Sequence, residues 1–246
     1  MSRFHPVRSV LTALAALAAA STVLAAPAAH ADDQLPLPPQ RLTHAGQQLA
    51  PAGVPHGLCT GRFLGDARLG PERLPAAWQR PVGPLLDGYD RTGGLAPADF
   101  LRKYWEGPAD GGGWKYPPND GFAEVNGEVD RHRVALRPGA LLDRFGSEFG
   151  GFLAPAGDPY AKRALPPQSL NTRDDNRPCD YRVYRVVRSF AVWQGGIAPW
   201  FEQPGGGQQI KLDAALLDPG EGERLNVKWL LEHGYLVEVN RSGGNP

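Results

Sequence analysis

Alternation of hydrophobic and polar positions predicts several short β-strands in the second half of the chain. Residues 181–187 alternate tyrosine and valine with arginine, which is typical of a half-buried strand. Similar patterns predict strands at residues 132–136, 190–193, 209–212 and 235–239. Strand and helix do not alternate regularly, so the pattern predicts an α+β fold with a mainly antiparallel β core.

Helical periodicity is confined to brief segments. Residues 97–105 begin with a proline, which suits a first helical turn, and carry Phe100, Leu101 and Tyr104 on one side. A shorter helix is predicted at residues 85–89, and a third at residues 225–233, followed by Gly234 as a C-terminal cap. Residues 59–115 are therefore predicted to form an N-terminal annex of short helices, followed by the β-rich domain at 116–246.

The first 31 residues are typical of a secretory signal peptide. Arg3 and Arg8 precede an Ala-rich apolar run, and Ala29-His30-Ala31 is a suitable cleavage site. A membrane anchor is the alternative, but the run is too short and too Ala-rich to span a bilayer comfortably. The mature protein is therefore predicted to be secreted, without a membrane partner, and to begin with a flexible segment at residues 32–58.

Composition excludes some classes of protein. The 31 glycines and 25 prolines among 246 residues argue against a helical bundle. Lysine plus arginine and aspartate plus glutamate are both 26, so no basic excess indicates a nucleic-acid partner. The sequence has neither an H-E-x-x-H motif nor a Cys/His cluster, so no metal site is predicted.

The chain has two cysteines, Cys59 and Cys179. In the oxidising compartment that secretion implies, such a pair is most simply one disulfide. A catalytic cysteine is the alternative, but no histidine lies in a recognisable partner motif.

A glycine-rich segment with little helical pattern carries Arg144, Phe152 and Arg163. The planar guanidinium group suits phosphate, and an exposed phenylalanine can stack on a flat ring. From composition alone, two surface salt-bridge arginines and a core phenylalanine remain the simpler interpretation. Residues 205–207 form a Gly-Gly-Gly turn that is either structural or exposes backbone N–H groups to an anion.

Several longer motifs resemble the TNT (tuberculosis necrotizing toxin) family of secreted NAD glycohydrolases, and the fungal surface NADases and their actinobacterial relatives most of all. They are YPPNDGF at 116–122, DRFGSEFG at 143–150, PYAKRALPP at 159–167, YRVYRV at 181–186, IAPWFEQPGGGQQ at 197–209 and GYLVEV at 234–239. CTGR at 59–62 and YDRTGGL at 89–95 resemble the annex of the fungal proteins.

The resemblance implies hydrolysis of NAD, with NADP as a second substrate, to nicotinamide and an ADP-ribose. By position in the motifs, Arg144 and Arg163 match arginines associated with the phosphates and with catalysis, and Phe152 matches an aromatic at the nicotinamide end. Gln209 matches the catalytic glutamine, although Gln208 lies only one position away. The glycines before it, Gly207 among them, would let the backbone approach the ligand.

The resemblance also bears on cofactors and partners. No acidic match is found for the calcium site of the fungal members, so no cofactor is predicted. A homodimer and an immunity protein are partners that the resemblance implies.

Three other functions remain open on the sequence. They are a secreted, non-catalytic binding module for an anionic nucleotide-like ligand, a carbohydrate hydrolase using Glu148 and Glu202 as its acid/base pair, and an NAD-dependent protein-modifying transferase.

Overall fold

The structure is a computed structural model that describes residues 57–239. The predicted signal peptide at 1–31 and nearly all of the predicted flexible segment at 32–58 lie outside the described residues. Within residues 57–239, no helix combines the length and the apolar character needed to cross a membrane.

A seven-stranded sheet forms the centre of the fold, and every strand pairing in it is antiparallel. Its strands are β5 (His132–Leu136), β6 (Leu141–Phe145), β7 (Phe152–Pro155), β8 (Tyr181–Val186), β9 (Phe190–Gly196), β10 (Gln208–Lys211) and β11 (Leu236–Glu238), in the spatial order β11-β8-β6-β7-β10-β9-β5. Two small ribbons pair β1 (Trp105–Glu106) with β2 (Gly113–Trp114), and β3 (Glu124–Val125) with β4 (Glu128–Val129).

The helices are short, as the sequence predicted. The α-helices are α1 (Pro97–Tyr104) and α2 (Val227–Glu232). Single 3-10 turns lie at Phe63–Gly65, Ala67–Leu69, Gly83–Leu86, Asn119–Gly121, Tyr160–Arg163, Pro167–Leu170 and Pro178–Asp180. The helix predicted at residues 85–89 is therefore a 3-10 turn placed slightly earlier. The mainly antiparallel α+β fold is confirmed.

Strands β6 and β7 were missed by the pattern analysis. Two polar residues, Asp143 and Arg144, occupy the middle of β6, and Pro155 ends β7. Asp143 is nevertheless fully buried, because it pairs with Arg163 from a later turn. Burial by ion pairing leaves no hydrophobic signal in the sequence, so the alternation was hidden.

One face of the sheet, called here the core face, is covered by α2. Leu142, Leu153 and Ile210 project from β6, β7 and β10 into one apolar cluster with Trp229 and Leu230 of the helix. The helix begins at the Asn226 cap, whose side-chain oxygen accepts the Trp229 N–H at 2.8 Å. This layer holds the sheet together.

The opposite face, called here the cleft face, is covered at one end by a second apolar cluster. Phe145, Tyr181 and Val183 of the sheet pack there with the annex, and the cluster includes Cys59 and Cys179. These two cysteines form the predicted disulfide, and their side chains are almost completely buried. The disulfide ties the start of the described annex to the turn that leads into β8.

Candidate active site

An open cleft lies on the cleft face of the sheet. The strand register places Asp143, Ala154 and Gln209 on this face, because directly paired residues of neighbouring antiparallel strands point the same way. The lining residues are Asp143, Arg144, Phe145, Phe152, Leu153, Ala154, Arg163, Leu165, Ile197 and Gln209. Four of the five residues predicted to catalyse or bind the substrate, Arg144, Phe152, Arg163 and Gln209, therefore lie together.

Arg144 is the next-to-last residue of β6, and backbone carbonyls hold its guanidinium. Its Nε donates to the Ser147 carbonyl at 2.7 Å and its Nη1 to the Phe152 carbonyl at 2.6 Å. Within residues 57–239 it has no ion-pair partner, since the nearby acids Asp143 and Asp180 pair with other arginines. Burial lowers the pKa of the Arg144 guanidinium, but arginine remains charged. The cleft therefore contains an uncompensated cation, which favours an anionic ligand.

Glycines make room for this arginine. A Cβ added to Gly150 would lie 1.9 Å from the Arg144 Nη2 atom, and Gly146 has a φ of +116°, which L side chains rarely adopt. The DRFGSEFG motif thus builds a tight loop around the guanidinium.

Arg163 is held quite differently from Arg144. Its Nη1 and Nη2 donate to the two carboxylate oxygens of Asp143, and its Nε and Nη2 donate to the Asp158 carbonyl at 3.0 and 2.8 Å. These bonds use four of the five guanidinium N–H groups. The side chain is only 4% exposed. Arg163 is thus part of a buried ion pair at the cleft wall, which neither sequence-based interpretation described.

Asp143 is the functional candidate that sequence reasoning missed. Besides the two Arg163 bonds, it accepts the Tyr181 hydroxyl at 2.8 Å and the Gly157 N–H at 3.0 Å. It is fully buried, yet it lines the cleft. The available signal was a carboxylate in the middle of an apolar segment, beside an arginine already singled out.

Gln209 projects into the cleft from β10. Its Nε2 donates to the Asp120 carbonyl at 2.9 Å, in the loop formed by the YPPNDGF motif. Gln208 is exposed and points to the other side of the strand, where its Oε1 accepts from Gln194 at 3.5 Å. The cleft position predicted for Gln209 and not for Gln208 therefore agrees with the strand alternation.

Phe152 supplies an aromatic surface at the cleft. It is 38% exposed, which is unusual for a phenylalanine in a central strand. Its partner across the sheet is Lys211, whose Nζ pairs with Asp120 at 2.8 Å. An exposed ring beside a cation suits a flat, partly charged ligand group.

Gly207 is not among the residues that line the cleft, and the predicted approach of its backbone to the ligand stays a prediction. Its N–H donates to the Lys162 carbonyl at 3.0 Å, and the Gly206 N–H donates to the Ile197 carbonyl at 2.9 Å. A Cβ at position 207 would lie 2.8 Å from the Lys162 carbonyl oxygen. Glycine is needed here for close packing against the turn that carries Arg163.

Glu148 and Glu202 both lie outside the cleft lining. The Glu148 carboxylate lies 3.6 Å from the Arg182 Nε. Glu202 accepts from Lys103 and, at 2.8 Å, from the Tyr104 hydroxyl, and these hydrogen bonds lower its pKa. In the part of the chain that the structure describes, no group of three or more His, Cys, Asp or Glu side chains could hold a metal ion.

Comparison with known proteins decides the family. The family model described as tuberculosis necrotizing toxin, TNT, matches residues 135–239. The conidial surface nicotinamide adenine dinucleotide glycohydrolase of Aspergillus fumigatus is 40% identical over 216 residues, which cover 85% of this chain and 87% of that protein. The chain belongs to the TNT family.

Two solved structures that resemble this chain are complexes with a second protein. Tuberculosis necrotizing toxin complexed with its immunity factor IFT is 24% identical, with a TM-score of 0.45 over 63% of this chain and 78% of that chain. Tse6 in complex with Tsi6 is 18% identical, with a TM-score of 0.30 over 45% of this chain and 72% of that chain.

Proposed function

We propose that this member of the TNT family is a secreted NAD glycohydrolase that converts NAD to nicotinamide and ADP-ribose, and that it also accepts NADP. The observation that carries the proposal is the meeting of Arg144, Phe152 and Gln209 in one cleft. The identity to the Aspergillus glycohydrolase, over most of both chains, supports the same activity. Its name, a conidial surface enzyme, also supports an extracellular location for this chain.

The chemistry needs no general acid for the leaving group. The C1′–N bond breaks and its electron pair returns to the pyridinium nitrogen, so nicotinamide leaves neutral. A water oxygen bonds to C1′, and one of its protons is released to solvent. The transition state resembles an oxocarbenium ion on the ribose. Holding the substrate and orienting the water supply the catalysis.

Each cleft side chain has a role that follows from its bonding. The unpaired Arg144 holds the pyrophosphate, and Phe152 packs against the nicotinamide ring. The Gln209 Nε2 is bonded to the Asp120 carbonyl, which leaves Oε1 as an acceptor for a ribose hydroxyl or for the attacking water.

The proposal rests on this chain's own residues and includes no metal or cofactor. The homodimer and the immunity protein stay predictions.

A pair of neighbouring glutamines provides the test. Gln209→Ala should lower nicotinamide release from NAD by about 10²–10³-fold, the range seen when one transition-state hydrogen-bonding group is removed. Gln208→Ala is the matched control, since it removes the same group one position away on the outer side, and it should keep wild-type activity. Circular dichroism checks that both variants are folded.

The outcomes separate the proposed functions. Equal activity of the two variants and the wild type would remove Gln209 from the mechanism. A wild-type protein that binds NAD without releasing nicotinamide would favour the non-catalytic binding module instead.

A further inference from the structure

We propose that Asp143 and Arg163 form a buried positioning pair that sets the distance between Arg144 and Gln209, and that Arg163 does not hold the substrate phosphates. The inference rests on the proposed function, because it assigns roles within the same cleft. It differs from the sequence-based expectation, in which the two arginines share one role.

The first argument is the path of hydrogen bonds across the sheet. Asp143 precedes Arg144 on β6, and its carboxylate holds Arg163. Arg163 in turn holds the Asp158 carbonyl, and the Asp158 carboxylate accepts the Gln208 N–H at 3.2 Å, directly before Gln209. The path therefore begins next to Arg144 and ends next to Gln209.

This path supplies a connection that the sheet itself provides only weakly. Strands β6 and β10 are not neighbours, since the four-residue strand β7 lies between them. The Asp143–Arg163 pair connects β6 to the turn at Tyr160–Arg163, and Asp158 just before this turn completes the connection to β10 by accepting the Gln208 N–H. Catalysis by positioning is sensitive to such links, because a misplacement of about 1 Å costs roughly 100-fold in rate.

The second argument is electrostatic. The charged residues lining the cleft are Asp143, Arg144 and Arg163, and the pairing of two of them leaves Arg144 as the single unpaired cation of the lining. The nicotinamide riboside group is itself cationic, and so is the oxocarbenium-like transition state. A second free guanidinium near it would oppose the reaction in a site of low dielectric. Neutralising Arg163 with Asp143 removes this repulsion.

The third argument concerns stability. A buried ion pair seldom stabilises a fold more than a well-packed apolar pair of the same volume, whereas fixing a unique geometry is a better attested use. The Asp143 side chain is 0% exposed and the Arg163 side chain 4% exposed, so both charges are almost fully desolvated. A positioning role explains why charged residues occupy these places.

The test compares two kinds of variant in the full chain, using ADP-ribose as the binding probe. Arg144→Ala should weaken ADP-ribose binding, measured by calorimetry, at least about 10-fold, because it removes a charge-assisted phosphate contact. Asp143→Asn and Arg163→Lys should each lower kcat for NAD about 10-fold or more while changing the ADP-ribose Kd less than about 3-fold. The double variant should be no slower than the slower single variant, since the two residues act as one unit.

Tyr181→Phe is a milder variant that keeps the proposal testable if the charged-pair variants fail to fold. It removes only the hydroxyl that donates to Asp143 and keeps the ring in its apolar cluster. It should lower kcat in the same direction but by less, with unchanged ADP-ribose affinity.

The opposite results would overturn the proposal. They are a loss of ADP-ribose affinity in Arg163→Lys as large as in Arg144→Ala, or an unchanged kcat in both Asp143→Asn and Tyr181→Phe. The binding measurement does not need turnover, so it tests Arg163 even if the wild type releases no nicotinamide, which would refute the proposed function separately.

Discussion

The two faces of the seven-stranded sheet use neighbouring residues of the same strands for different purposes. On β10, Ile210 is almost fully buried on the core face, while Gln209 beside it reaches the cleft. On β6, Leu142 packs on the core face, while Asp143 lines the cleft. The core face is thus covered by a continuous apolar layer, and the cleft face leaves its middle uncovered. The comparison teaches that the site lies at the part of the sheet that no apolar layer covers.

On one side, the uncovered middle of the cleft face ends at an apolar cluster. Phe145, Tyr181 and Val183 return the cleft face to apolar packing, and the Cys59–Cys179 disulfide lies in that cluster. The cleft therefore lies beside a layer that is held by a covalent bond as well as by packing.

Removing the disulfide should have the largest effect on stability and should weaken the cleft face specifically. The Cys59→Ser/Cys179→Ser variant opens a loop of 120 residues. In the chain-entropy model such a loop contributes about 4–5 kcal/mol, which corresponds to a fall in Tm of roughly 8–20 °C. Thermal unfolding of the variant and of the wild type measures this fall in Tm.

Reduction of the wild type with a thiol is the companion measurement. It should lower Tm by the same amount and should not affect the double variant. An unchanged Tm in the double variant would show that the annex layer is held by packing alone.

Shortening Ile210 should give the next largest effect, now confined to the core face. Ile210→Val removes one buried methylene and should cost about 0.5–1.5 kcal/mol of unfolding free energy. Nicotinamide release per folded molecule should remain at the wild-type level, because the side chain points away from the cleft. Denaturant unfolding and the release assay are measured on the same preparation.

Gln209→Ala is the natural counterpart on the next residue of β10. It should lose activity while its unfolding free energy changes little. If Ile210→Val lost activity as strongly as Gln209→Ala, the functional separation of the two faces would be wrong.

The same contrast explains how far the sequence could predict the structure. Strands such as β5 and β8 were predicted because apolar side chains alternate along them. β6 was missed because Asp143 is buried by Arg163, which lies twenty positions later and in no periodic relation to it. β7 was missed because it is only four residues long and ends at Pro155. A carboxylate that is neutralised by a distant residue looks like a surface residue in the sequence.

The site was predicted unevenly for the same reason. The resemblance to the TNT family predicted that Arg144, Phe152, Arg163 and Gln209 share one site, and all four residues line the cleft. The different bonding of the two arginines could not be predicted, because it depends on Asp143 and on the Asp158 carbonyl. The packing role of Gly207 depends in turn on the Lys162 carbonyl, which no motif reveals.

Glu202 should give the smallest effect, and one that depends on pH. It follows β9 and fastens the cleft side of the molecule to α1 through Lys103 and the Tyr104 hydroxyl. These hydrogen bonds lower its pKa below the ordinary value of 4.5. The stabilisation is therefore fully present above that value and is lost as the pH falls through the lowered pKa of the folded state. For a partly exposed pair it amounts to about 0.5 kcal/mol.

Glu202→Gln should accordingly have a slightly lower Tm than the wild type at pH 7, and the difference should shrink as the pH falls from 4.5 through the lowered pKa of the folded state. Glu221→Gln is the matched control, because Glu221 is exposed and has no ion pair within residues 57–239. It should leave Tm unchanged at every pH. A Tm difference for Glu202→Gln that did not shrink at all over this fall in pH would mean that the carboxylate acts through its packing and not through its charge. The contact between Glu202 and α1 would then be held by packing, as the apolar layer of the core face is.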